Sequence, residues 1–174
     1  MKWKSIIFGL MFLLVLFSGA EVSAGKDPFE SAPDFSLNDF QGKKFTLYDE
    51  LKNNKAVLLW FTNLCDGCTA RLPEMERIKN LYKNKEIEIV AVSVLGEDRR
   101  TVEDIIQKKA ITFRILFDPQ GQATQLFSGK LVTGTCPLEN LFIINKSGKI
   151  LFTSHYPGTQ EDEIEQILNK RMGD

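Results

Sequence analysis

Histidine is almost missing from this chain, and cysteine is scarce. His155 stands alone and there are three cysteines in 174 residues. A histidine-built metal centre is therefore excluded, and neither a second Cys-x-x-Cys nor a histidine pair is present to complete a four-ligand zinc site. An odd set of three cysteines also cannot staple a disulfide framework. Excess charge of one sign is absent as well, with 22 Lys and Arg against 23 Asp and Glu. These charges are scattered and form no basic stripe, so the electrostatic footprint of a nucleic-acid binder is missing. No internal repeat and no low-complexity tract breaks the pattern.

One long apolar run is present, at the start. Lys2 and Lys4 precede Ile6 to Phe17, and Val22-Ser23-Ala24 offers the small residues of a cleavage site, which is the pattern of a secretory signal peptide over residues 1–24. With Gly19 and Ala20 counted, the run approaches the roughly 20 residues of a membrane span, so an uncleaved anchor is the alternative. Both readings predict export. Residues 25–31, small and polar with Pro28, read as a flexible leader. Residues 32–174 are then one domain, long enough for a full core without disulfides.

Within that domain the chemistry gathers at one join. Ala56 to Phe61 is a short, aromatic-rich apolar run of the kind that makes a buried strand. After Cys65 the pattern turns helical, with Leu72, Met75, Ile78 and Leu81 or Tyr82 recurring three or four residues apart. Cys65 and Cys68 therefore sit where a strand hands over to a helix. Unpaired backbone N–H groups at a helix start favour an anionic sulfur, the species that attacks disulfides. Cys65 is nearer the exposed end, and Cys68, one turn further in, can close a disulfide with it or displace whatever it has captured. Thr69, not histidine, follows Cys68, which removes a c-type haem attachment.

The rest of the chain fits around this join. Ala32–Leu37 and Asp39–Leu47 alternate about Gly42 and predict a β-hairpin, followed by a helical turn over Tyr48–Leu51. Pro73 either kinks the helix over 68–83 or begins a second one. Ile87–Val94 reads as a central strand, Thr101–Lys109 as a helix, and Phe113–Phe117 as a strand closed by the Asp118-Pro119-Gln120-Gly121 turn. A short helix over Gln122–Phe127 precedes Gly134-Thr135-Cys136-Pro137. A strand over 141–144, a turn at 145–149, a strand over 150–154 and an amphipathic helix over 160–170 follow. This order predicts an α/β fold, a central mixed sheet with helices on both faces.

The segments APDFSL with FQGKKFTL, VLLWFTNLCDGC, Pro73, LFDPQG, Cys136-Pro137 and LFIINKSGKI together resemble the thioredoxin-like superfamily. Within it they resemble the exported TlpA/ResA-type thiol-disulfide oxidoreductases, over nearly all of residues 32–174. The resemblance implies a thioredoxin-like fold with an N-terminal β-hairpin extension, a catalytic pair of Cys65 and Cys68, and neither cofactor nor bound metal. It implies that the Cys136–Pro137 bond is cis and that Thr135, Cys136, Pro137 and Leu64 shape the groove for an extended partner peptide. The implied partners are protein disulfide or thiol clients, apocytochrome c among them, and a membrane electron donor that re-reduces the protein. The resemblance favours a reductase, and the residues themselves leave reductant or oxidant open because the dipeptide between the cysteines does not alone fix the potential.

Five positions depart from that family. Leu64 replaces a tryptophan, Asp66-Gly67 replaces a proline-containing dipeptide, Arg71 stands where many relatives carry a proton-handling glutamate, and Cys136 replaces a non-thiol residue. Asp66 and Arg71 bring opposite charges close to the thiols, so both are expected modulators. Cys136 is expected beside the CxxC, as a small apolar filler or as a third thiol. In the second role it could accept a disulfide from Cys68, hold a metal with the other two, or alter peptide docking.

Two other activities compete. In a peroxiredoxin-like peroxidase, Thr62, three residues before Cys65, and Arg114 would polarise a peroxide, but Leu58 stands where that family has proline. A copper-binding chaperone resembling the Sco proteins would use His155 with the two cysteines, but its cysteines are spaced one residue wider.

Overall fold

The computed structural model describes residues 31–95, 98–129, 135–156 and 158–171. The expected signal peptide, nearly all of the expected leader, and Gly134 lie outside the described residues. Among those described, no helix is long and apolar enough to cross a membrane.

Seven strands form one sheet. They are β1 (Ser36–Asp39), β2 (Lys44–Thr46), β3 (Ala56–Thr62), β4 (Ile87–Ser93), β5 (Arg114–Phe117), β6 (Leu141–Asn145) and β7 (Ile150–Ser154), in spatial order β2-β1-β5-β4-β3-β6-β7. The inner three, β5, β4 and β3, run parallel, and β1, β2, β6 and β7 are added antiparallel. Parallel neighbours need helical crossovers. These are α2 (Asp66–Ala70) with α3 (Leu72–Tyr82) between β3 and β4, and α4 (Arg99–Lys108) between β4 and β5. Helices α1 (Leu47–Asn53), α5 (Gln122–Ser128) and α6 (Glu161–Arg171) complete the fold.

Strand β3 is buried along its whole length, and its side chains alternate between two cores. Leu58 and Trp60 pack with Leu72, Met75, Ile78 and Tyr82 of α3, Val102 of α4, and Ile164 and Leu168 of α6. Val57, Leu59 and Phe61 pack on the opposite face with Leu47 and Leu51 of α1 and Ala123 and Phe127 of α5. Each such burial contributes about 1.5–3 kcal/mol. The sheet is thus a filled middle layer, with β3 packed on both faces. This is the mixed sheet with helices on both faces that the segment order predicts.

The N-terminal hairpin is present, with Ser36 opposite Thr46 and Leu37 opposite Phe45. Its turn closes on Asp39, whose carboxylate accepts the Gln41 and Lys43 N–H groups, and on Gly42 at φ 81°, a conformation that glycine adopts without strain. Of the two readings for Pro73, the second-helix one is realised. The helical run breaks at Arg71, and Pro73 lies in the first turn of α3, where its missing N–H has no partner to lose.

Candidate active site

The site is built on the C-terminal end of β3, an inner strand of the sheet. β3 is anchored on one side by the Val94 N–H on the Thr62 carbonyl (3.0 Å) and on the other by its own Phe61 N–H on the Asn140 carbonyl (2.8 Å). Two short side-chain turns then redirect the backbone. Thr62, wholly buried, accepts the Leu64 N–H on Oγ1 at 3.0 Å, and Asn63 accepts the Cys65 N–H on Oδ1 at 3.1 Å. Between them Leu64 takes a left-handed conformation, φ 52°, with its side chain buried in the α3 core. A leucine there carries backbone strain of about 1–2 kcal/mol, held by the two turns and the packed side chain.

This turn delivers Cys65 to the N-cap of α2. Cys65 is exposed, Cys68 is fully buried behind it, and their sulfurs lie 3.4 Å apart. Cys65 makes no side-chain hydrogen bond to the helix amides. Its thiol donates to the Cys68 sulfur instead. Of the capping expected from the sequence, the position is realised and the sulfur–amide hydrogen bond is not. α2 is only five residues long, so its start offers just the amides of a short first turn.

The third cysteine closes a cluster. Cys136 Sγ lies 3.4 Å from Cys68 Sγ, accepts the Asn63 N–H at 3.4 Å, and donates its own thiol proton to Asn63 Oδ1 at 2.8 Å. All three sulfurs fall within 4.8 Å of one another. A chain of donors thus runs from Cys65 through Cys68 and Cys136 to the Asn63 amide oxygen. The hydrogen bond to Cys136 and then burial raise Cys68 above the ordinary thiol range. The same contact, with Cys68 as donor, lowers Cys136. The two shifts run in opposite directions, with Cys136 the more acidic of the pair.

The Cys136–Pro137 bond corrects the family-based expectation. Among the described residues no peptide bond is cis, so this one is trans, the isomer that an X-Pro bond favours intrinsically by about 0.5–1 kcal/mol. The loop is held to the site by the Cys136 sulfur and by Asn140. The Asn140 side chain, wholly buried, donates to the Tyr156 carbonyl (2.8 Å) and accepts the Tyr156 N–H (2.7 Å). Of the expected groove residues, Thr135 is exposed and Cys136 half-buried, whereas Leu64 and Pro137 are buried and support the surface from beneath. Leu138, one residue on, is 87% exposed.

The remaining sequence candidates are not members of the three-sulfur cluster. The Arg71 guanidinium donates to the Thr159 carbonyl at 2.5 Å, pairs with Glu74 at 2.9 Å and stacks on the Tyr156 ring at 4.5 Å, so it ties α3 to the segment before α6. Asp66 is exposed in the first turn of α2. Arg114, which the peroxidase reading needs, is held by Glu50 at 2.6 Å with Asp39 and Glu88 nearby. His155 is not part of the three-sulfur cluster, and its Nδ1 meets the Leu138 carbonyl at 3.0 Å. Sequence reasoning missed Asn63. The available signal was an asparagine two residues before a helix start, where it can close a turn on the backbone.

A model of the AhpC/TSA family matches residues 28–153. The chain belongs to that family. A thiol-disulfide oxidoreductase ResA from Geobacillus thermodenitrificans is 33% identical over 138 residues, covering 79% of this chain and 74% of that protein. Among solved structures, a candidate thiol:disulfide interchange protein DsbE from Chlorobium tepidum superposes with a TM-score of 0.66 at 25% identity, covering 82% of this chain and 96% of that one. Peroxidoxin BcpB from Mycobacterium tuberculosis superposes equally well, TM-score 0.65, covering 80% of this chain and 92% of that one. At 19% identity, that likeness is one of fold alone. This AhpC/TSA-family member is a thioredoxin-like thiol-disulfide oxidoreductase.

Proposed function

We propose that the protein reduces disulfides of protein clients outside the cytoplasm, with Cys65 as the attacking sulfur and Cys68 as the resolving one. One observation carries this assignment, an exposed Cys65 with a wholly buried Cys68 at 3.4 Å behind it. Cys65 is the only one of the two that a protein disulfide can reach. Its attack forms a Cys65–client bond and releases the client's other sulfur. Cys68 then attacks Cys65, freeing the client as a dithiol and leaving Cys65 and Cys68 bridged. Exposed Thr135 and Leu138, one residue before Cys136 and two after it, offer a polar and an apolar contact to an extended peptide.

Residues 1–24 support export, as a cleaved signal or a retained anchor. The oxidised protein must be reduced again by a thiol-reducing electron donor, which the family resemblance locates in the membrane. The same resemblance makes apocytochrome c a candidate client. In an insulin-disulfide reduction assay, Cys65→Ser should abolish turnover, and Cys68→Ser should accumulate covalent client adducts that dithiothreitol releases. A Cys68→Ser protein that turns over normally contradicts the assigned roles. Export is tested by fusing residues 1–31 to a reporter that is active only outside the cytoplasm, where an inactive fusion rejects it.

A further inference from the structure

We propose that Cys136 is a third redox-active thiol, which exchanges with the Cys65–Cys68 bridge to give a Cys68–Cys136 bridge and a free Cys65. This rests on the dithiol cycle proposed above and adds a second oxidised form to it. The geometry makes Cys68 a branch point. Its sulfur is 3.4 Å from Cys65 Sγ and also 3.4 Å from Cys136 Sγ. Each pair must close by the same amount to reach the roughly 2.05 Å of a disulfide bond, so separation favours neither. Cys136 is fixed in this position from a separate segment of the chain. The Asn63 N–H and the Asn63 side-chain oxygen hold its sulfur at 3.4 Å and 2.8 Å.

The step balances without any added oxidant. Cys136 gives up its proton and attacks Cys68 Sγ, the Cys68–Cys136 bond forms, and the Cys65–Cys68 bond breaks. The electron pair leaves on Cys65 Sγ, which takes up a proton. One disulfide is consumed and one is made. In the bridged form Cys68 has no proton to donate, so the contact that favours the Cys136 anion and suits it to the attacking role is the Asn63 N–H on its sulfur at 3.4 Å. The outcome changes what the oxidised molecule can do. With its bridge moved inward, it again presents a free thiol at the exposed position. It can capture a client disulfide and hold it, because the resolving sulfur is occupied.

In the test, the whole protein is oxidised with excess oxidised dithiothreitol, quenched in acid, and labelled with N-ethylmaleimide under denaturing conditions before peptide mapping. Each monomer with one bridge keeps one thiol, and its position reports which bridge has formed. The label should divide between Cys136 and Cys65, with the two forms within about tenfold of each other, a difference of about 1.4 kcal/mol. Label confined to Cys136 overturns the proposal. A second arm uses Cys65→Ser, an exposed substitution whose reduced form should keep the wild-type circular dichroism and melting profile. On oxidation it should lose both remaining thiols while staying monomeric, and retention of both overturns the exchange. A wild-type protein that forms a Cys65–Cys68 bridge without exchange leaves the reductase reading intact. One that forms no bridge at all removes both.

Discussion

Proton affinity separates the sulfurs of Cys68 and Cys136. Cys68 is raised from the ordinary thiol value of 9.0 by its hydrogen bond with Cys136 and by burial, so the folded, reduced protein holds that proton more tightly than the unfolded chain does. A raised group contributes stability that is fully present below the unfolded value and is lost as pH rises through the folded one. Cys136, shifted down by the same contact, acts in the opposite sense. Its contribution is present above the unfolded value and is lost as pH falls through the folded one. Of the two thiols only Cys68 operates above about pH 9, joined from about pH 10 by Tyr82 and Tyr156, which burial also raises. Urea unfolding of the reduced protein from pH 7 to 10.5 should therefore show a midpoint that declines above pH 9, and Cys68→Ala should flatten the decline. Parallel profiles would show that the proton on Cys68 is not coupled to folding. At this scale the sequence was partly legible. The spacing of Cys65 and Cys68 at a strand-to-helix join declares their chemistry. The left-handed φ of Leu64, the double grip of Asn63 on Cys136 and the outward reach of Arg71 to Thr159 depend on tertiary contacts, which leave no periodicity to read.

Helices α2 and α3 show how one residue divides an element. The sequence allowed Pro73 to kink a single helix or to start a second, because both place a proline without an N–H partner near the same turn. The structure selects the second, with the break at Arg71 pinned to the Tyr156 ring and the Thr159 carbonyl. Pro73→Ala should therefore cost only about 0.4–1 kcal/mol, chiefly by loosening the unfolded chain. A proline at exposed Asn80, inside α3, should cost about 3 kcal/mol or more. Denaturant midpoints of the two variants measure the contrast, and equal losses would show that Pro73 does not act as a helix start. The strands were the most legible elements. β3 and β4 are near-continuous apolar runs because both of their faces are covered, and that pattern survives without any knowledge of their neighbours.

Over the whole molecule, the sheet separates two cores that share no side chain. Met75 lies wholly buried in one and Leu59 wholly buried in the other. Met75→Ala and Leu59→Ala should each cost about 2–5 kcal/mol, and their double variant should equal the sum to within about 0.5 kcal/mol. A larger interaction energy would mean that the sheet transmits repacking from face to face. The layered architecture was legible because segment order alone restricts the topologies open to a chain that alternates strands and helices. The isomer of the Cys136–Pro137 bond was not, since it is set by how one loop meets the end of β3. The central claim is that this scaffold carries Cys65 and Cys68 through a reversible two-electron cycle. Its most direct test equilibrates the protein in graded mixtures of reduced and oxidised dithiothreitol and counts alkylated thiols by mass. The account predicts that two thiols per monomer disappear together as the mixture becomes oxidising and return together on reduction, with Cys68 always one of the bridged pair. Three thiols that persist across the whole series would contradict it.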